Sequence, residues 1–190
     1  MSRVTFCRIV GFLPWCMIAA VLMVTAPCLA QESDSPWKLV QGPAGATEIS
    51  TRSEIVAPHG AGFATLKILQ RASGKPAVIV YLIIESPKSL PSFPFDKYDG
   101  PVDKTAKEFI KFEVAPKKQG TASSVKVMPN GYYGVEPPDA FVFDTIDKSV
   151  ISFLTRIRDG QILTVMVNGS PSSLRVAFDT TGLKKLLNQK

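Results

Sequence analysis

Apolar and polar positions alternate with a period of two along much of this chain, the mark of half-buried β-strands. In Gly62-Phe-Ala-Thr-Leu-Lys-Ile-Leu-Gln-Arg71, Phe63, Thr65, Lys67 and Leu69 oppose Ala64, Leu66, Ile68 and Gln70. Ala77-Val-Ile-Val-Tyr-Leu-Ile-Ile84 is an unbroken apolar run instead, rich in β-branched residues. Loss of alternation predicts a strand buried on both faces. The turn Ala72-Ser-Gly-Lys-Pro76 between them predicts a hairpin. Lys107 to Val114 alternates again, with Ile110, Phe112 and Val114 on one side and Lys111 and Glu113 on the other. Trp37 to Val40, Thr47 to Val56, Ser124 to Met128 and Ala140 to Phe143 are read as further strands. Turns at Pro129-Asn-Gly131 and Pro137-Pro138 separate the last two.

The period changes in the last fifty residues. Ile146, Val150, Ile151, Leu154 and Ile157 share one face of a predicted helix running to Arg158. Asp144 or Asp147 can cap its start, and Gly160 stops it. Gln161 to Val167 and Ser173 to Phe178 are strands around an Asn168-Gly169 turn, and Gly182 to Leu187 is a terminal helix. Asn168-Gly-Ser170 matches a glycosylation triplet, but Pro171 disfavours it. Residues 31–190 are thus expected to form a single, mainly β domain. Its predicted architecture is an antiparallel β-sandwich with two short helices in the C-terminal third.

The first thirty residues follow another pattern. Arg3 and Arg8 precede a run from Ile9 to Ala30 without a charged residue, and polarity returns at Gln31-Glu-Ser-Asp-Ser35. A basic start, an apolar stretch and small residues before a polar one form a secretory signal peptide, with Cys28 and Ala30 before the cut. Two other readings stay open. The 22-residue run is long enough for a membrane anchor, with the arginines inside. Acylation at Cys28 is opposed by Pro27 and Thr25. Cleavage after Ala30 predicts a periplasmic or secreted protein, touching a membrane only if the segment is kept. It would also remove Cys7, Cys16 and Cys28, all the cysteines of the chain. Disulfides, thiolate metal sites and cysteine catalysis would go with them. A domain of this size folds on its core without cross-links.

Charge narrows function only slightly. The leader holds two of the 22 basic residues and none of the 16 acids, so its loss leaves +4. Lys104, Lys107, Lys111, Lys117, Lys118 and Lys126 crowd one region, interleaved with Asp103, Glu108 and Glu113. This reads as a solvated face, with a weak site for an anionic lipid, glycan or acidic partner as the sharper reading. No motif suggests a nucleic-acid partner. His59 is the single histidine, which excludes a two-histidine metal site. No nucleophile elbow and no glycine-rich phosphate loop occurs. Asp96 and Asp99 lack the glycine-centred loop of a calcium site, and Asp139, Asp144 and Asp147 read as turn or cap residues. The expectation is therefore no enzyme, no metal and no cofactor.

Aromatic residues give the one binding hint. Phe93, Phe95 and Tyr98 lie between Ser86 and Pro101, a stretch whose four prolines exclude regular helix or central strand. Tyr132 and Tyr133 follow the Pro129-Asn-Gly131 turn. These five are the candidate partner-binding residues, since aromatics in irregular segments serve as anchors. They are also common loop plugs that pack back on the core, and that is the favoured reading.

One resemblance extends these readings. The run Phe153-Leu-Thr-Arg-Ile-Arg-Asp-Gly-Gln-Ile-Leu-Thr-Val-Met-Val167 ends a helix in basic residues and Gly, then enters a strand. Ser173-Leu-Arg-Val-Ala-Phe-Asp-Thr-Thr-Gly-Leu-Lys-Lys-Leu-Leu187 adds a strand, a polar turn and a Leu-rich helix. With Trp37 near the new N-terminus, this cadence resembles the invasion-associated locus B family of exported bacterial proteins. The family commonly has a cysteine shortly after its early tryptophan; here Trp37-Lys-Leu-Val-Gln41 has none. The resemblance implies a β-rich periplasmic or surface protein without enzymatic activity, binding an unidentified envelope or host component. Two alternatives remain from the residues alone: a carboxylate-dependent hydrolase of envelope glycans, or a carrier of a small apolar ligand.

Overall fold

Among the described residues ten strands follow one another with two short α-helices among them, the strands running antiparallel to their neighbours in the sheet. In this computed structural model the described residues are 35–42, 45–55, 60–71, 78–99, 109–115, 122–128, 130–134, 139–168 and 173–189. They belong to one unit, Ser33–Lys190. The leader with its cysteines, His59, the 72–76 turn, the lysines and acids of 103–108, Lys117, Lys118 and Pro137-Pro138 lie outside the described residues.

The strands are β1 Lys38–Gln41, β2 Thr47–Ile55, β3 Gly62–Gln70, β4 Val78–Glu85, β5 Ile110–Ala115 and β6 Ser123–Val127. They continue as β7 Asn130–Gly134, β8 Ala140–Thr145, β9 Ile162–Val167 and β10 Leu174–Asp179. Helix α1 is Lys148–Leu154 and α2 is Leu183–Leu187. Along the sheet the order is β6-β5-β9-β10-β2-β3-β4-β8-β7, with β1 also on β2. The mainly β, antiparallel expectation is met, and the sheet curls around its own inner face. Ile110, Phe112, Leu163, Val165, Val176, Ile49, Leu66, Leu82, Phe141 and Phe143 join one core from strands spread along the whole path. The alternation read in the sequence is the physical cause: every second side chain enters that core.

The outer face of β4 is also covered. Ile83 is buried there beside Val142 and Ala140, and Ile79 is buried opposite Leu69, as the unbroken run predicts. The β2–β10 junction is the thinnest seam of the sheet, with one paired position, Val176 opposite Ile55. The Ser53 hydroxyl donates to the Ala177 carbonyl at 2.7 Å, adding a second link. β1 pairs with the other end of β2, Thr47 to Ser50. Trp37 fills the fork between β1 and β10, its indole N–H donating to the Asp179 carbonyl at 2.7 Å.

Two predicted elements change. Asn130-Gly131 is no turn: it opens β7, which pairs with β8 from Asn130 opposite Asp144 to Gly134 opposite Ala140. α1 stops at Leu154, short of Arg158. Asp147 is its cap, accepting the Ser149 N–H at 2.7 Å, whereas Asp144 belongs to β8. The helix stops where Thr155 and Arg156 side chains both take the Ser152 carbonyl and the next turn tightens to Ile157 N–H on Leu154. Ile146 precedes the cap and is exposed instead of facing the core.

Candidate functional site: an aromatic cleft at the β7 end

The Pro-rich loop turns its aromatics inward. Ser86 has φ 49° and Pro87 starts a 3-10 turn, Pro87–Ser89, where a missing N–H costs nothing. Three-residue turns follow, from Leu90 N–H on Pro87, Phe93 N–H on Leu90 and Lys97 N–H on Pro94. A second 3-10 turn covers Phe95–Tyr98. This winding buries Leu90, Phe93, Phe95 and Tyr98, the three aromatics being 4%, 6% and 0% exposed. Phe93 stacks on Tyr98 with centroids 5.7 Å apart, and Tyr98 meets Phe143 edge-on at 5.3 Å. Phe95 lies 5.0 Å from Phe141. As freely presented anchors, Phe93, Phe95 and Tyr98 are therefore corrected: they take the plug arrangement, because burying four large side chains outweighs exposing them.

Gly131 makes this closure possible. Asp99 bridges to it in parallel. A Cβ at Gly131 would stand 2.7 Å from the Tyr98 carbonyl oxygen and 2.8 Å from the Phe141 ring. Only glycine lets the loop lie on the strand so closely. The two tyrosines that follow point to opposite faces of β7 by the pleat. Tyr132 sits on the outer face opposite Val142, 38% exposed. Burial, then the charge of Asp144, raises its phenol pKa. Tyr133 is 48% exposed on the loop side. Its ring meets Phe141 edge-on at 4.9 Å, and its hydroxyl donates to Asp96 at 3.2 Å. Burial, then that hydrogen bond, raises its pKa as well, so it stays a donor at neutral pH.

Between loop and strand runs a cleft of about 410 Å³. Phe93, Phe95, Pro91 and Pro94 supply apolar walls, and Tyr133, Asp96, Asp139 and Lys88 supply polar groups. Lys88 and Asp139 are 3.9 Å apart and exposed. Among the described residues, Ser86 and Asp139 are the two non-glycine residues at positive φ; Asp139 lines this cleft, and Ser86 directly precedes its Pro87. Left-handed backbone at such a rim fixes side-chain direction at a cost in strain. The arrangement offers one fixed hydroxyl donor, two carboxylates, an ammonium and aromatic walls, a combination suited to a polar ligand with an apolar face.

Of the five candidate aromatics, Phe93, Phe95 and Tyr133 thus converge on one cleft, Tyr98 supports it from the core, and Tyr132 lies on the opposite face. Lys88 was not singled out in the sequence, and Asp96 and Asp139 were read separately as turn acids. Nothing local signals that they meet across 43 residues. Elsewhere, Asn130 donates to Asp144 at 2.7 Å, and Lys111 pairs with Glu113. Among the described residues no three His, Cys, Asp or Glu side chains gather as a metal site, and no helix is long and apolar enough to cross a membrane. No family model, curated protein or solved structure matches the chain.

Proposed function

We propose that this chain is an exported, non-enzymatic binding protein of a bacterial envelope or host-facing surface, taking its partner in the cleft between the Pro-rich loop and β7. The signal-like leader and the C-terminal resemblance to the invasion-associated locus B family support export. Tyr133 carries the choice of surface. Its ring is nearly half exposed, yet it is held by Phe141 on one side and Asp96 on the other. A fixed, solvent-facing aromatic loses little conformational freedom on contact, which is what makes such residues hot spots.

The test uses a chain starting at Gln31 and co-sedimentation with isolated peptidoglycan sacculi and with outer-membrane vesicles. Wild type should sediment with one of them, and Tyr133→Ala and Asp96→Asn should each weaken this at least about tenfold, near 1.4 kcal/mol, with each variant still folded at the assay temperature by its thermal denaturation curve. Equal sedimentation of wild type and variants, or none by the wild type, would overturn the proposal. A second reading, hydrolysis of an envelope glycan, is favoured by one observation: Asp96 and Asp139 line the same cleft. It requires turnover of sacculi that Asp139→Asn abolishes while binding persists.

A further inference from the structure

A second cleft lies at the opposite end of the sheet, where the C-terminal end of α1 passes the β5–β6 hairpin. It measures about 450 Å³. Arg156, Arg158, Ser123 and Ser124 supply its polar rim, and Phe153 and Ile157 its apolar floor. No carboxylate is among the described residues lining it. Neither arginine is ion-paired among the described residues. The bland role for Arg156 is to cap α1, and it does so: Nε donates to the Ser152 carbonyl at 3.0 Å. That bond uses one donor of five and orients the guanidinium, leaving the terminal nitrogens for another partner. The Arg158 backbone is fixed as well, its N–H donating to the Gln161 side-chain oxygen at 2.9 Å.

We propose that this cleft is a phosphate site, in which Arg156, Arg158 and the Ser123 hydroxyl, on the same strand face as Val114, hold the phosphate oxygens and the rest of the ligand lies on Phe153 and Ile157. Two guanidinium forks and a hydroxyl on a separate element suit a tetrahedral oxyanion better than a planar carboxylate with two acceptors. Glu113, opposite Ser124 on the other strand face, is taken by Lys111, no acid is among the described lining residues, and the apolar floor favours a phosphate joined to hydrocarbon. The site is independent of the β7 cleft and survives if that reading fails.

The experiment again uses the chain from Gln31, in low salt, with two probes. Phosphatidylglycerol vesicles report a lipid headgroup by co-sedimentation, and inorganic phosphate reports a free anion by amide shifts at Ser123, Ser124 and Arg158. At least one probe should bind, and the double variant Arg156→Ala, Arg158→Ala should weaken it about tenfold or more. Vesicle binding that inorganic phosphate does not displace assigns a lipid source; saturable phosphate shifts without vesicle binding assign a soluble one. Both arginines are exposed, so an unchanged melting temperature should accompany the loss. Failure of both probes, or equal binding by wild type and double variant, overturns the proposal. Tyr133→Ala should leave this binding intact, which separates the two sites.

Discussion

β6 and β7 are both five-residue edge strands, yet they finish the sheet by different physics. At β7 the chain lays its own proline-rich loop on the strand, and glycine permits the approach. Four loop side chains then join Phe141 and Phe143 in a dense aromatic cluster. At β6 only Val127 is buried; Ser123, Ser124 and Lys126 face solvent, and the seven-residue α1 packs alongside. Charge is divided in the same sense: two aspartates line the β7 cleft and two arginines the other. An unpaired strand edge invites association. One end answers this with packed hydrophobic mass, the other with polar side chains and a nearby helix. The β7 end should therefore be rigid and sensitive to volume, and the β6 end forgiving and sensitive to charge.

Phe141→Ala tests that contrast most severely. It removes a ring touching Phe95, Tyr133 and Phe143 and should cost about 3–5 kcal/mol in urea denaturation. Val127→Ala at β6 should cost only about 1–2 kcal/mol; equal losses would break the comparison. Gly131→Ala should cost about 1–3 kcal/mol by overpacking. Gly134→Ala, whose new Cβ would meet only the end of Val142 at 3.1 Å, should cost less in the same titration. Asp147→Ala at the β6 end should cost about 1 kcal/mol through the lost cap. The Ser149 hydroxyl and N–H hold the Asp147 pKa below its ordinary value. Its ionised form therefore stabilises the fold above about pH 4, and that contribution fades as pH falls through the lowered native value. The gap between wild type and Asp147→Ala should narrow accordingly between denaturation curves at neutral and strongly acid pH. Smallest of all, Tyr133→Phe should change stability by less than about 0.5 kcal/mol, while measurably weakening sedimentation with the envelope fraction.

Strands with strict alternation were legible in the sequence because a two-residue period has one structural reading when one face is buried. β3 and β10 fall within a residue of their expected bounds, β5 ends within a residue of its expected end while Lys107 and Glu108 lie outside the described residues, and β4 is buried on both faces as its unbroken run implied. β7 was not legible. Asn130-Gly131 is turn chemistry by local rule, and only the non-local approach of Tyr98 explains why a glycine stands inside a strand. The inward direction of Phe93, Phe95 and Tyr98 agrees with the favoured plug reading, although composition gives ring and proline content, not the side on which a neighbour waits. Helix α1 was overextended because its apolar period continues through Ile157, while side chains at Thr155 and Arg156 compete for the carbonyl that would carry it on. Each cleft joins residues distant in sequence, and pairwise meetings of that kind leave no local trace.

The seam between β10 and β2 has a consequence for the order of events during synthesis. β10 is the last strand of the chain, and it is the one that joins the β6-β5-β9 half to the rest. Trp37 must also wait for it, since its carbonyl partner Asp179 lies 142 residues downstream, and Ser35 reaches Thr181 across 146. The β2–β3–β4 hairpins can form early, but nothing before Val176 can close the fold. Closure at such sequence distance is slow. A newly made chain would therefore remain threadable until β10 had been added, a property encoded by strand order alone.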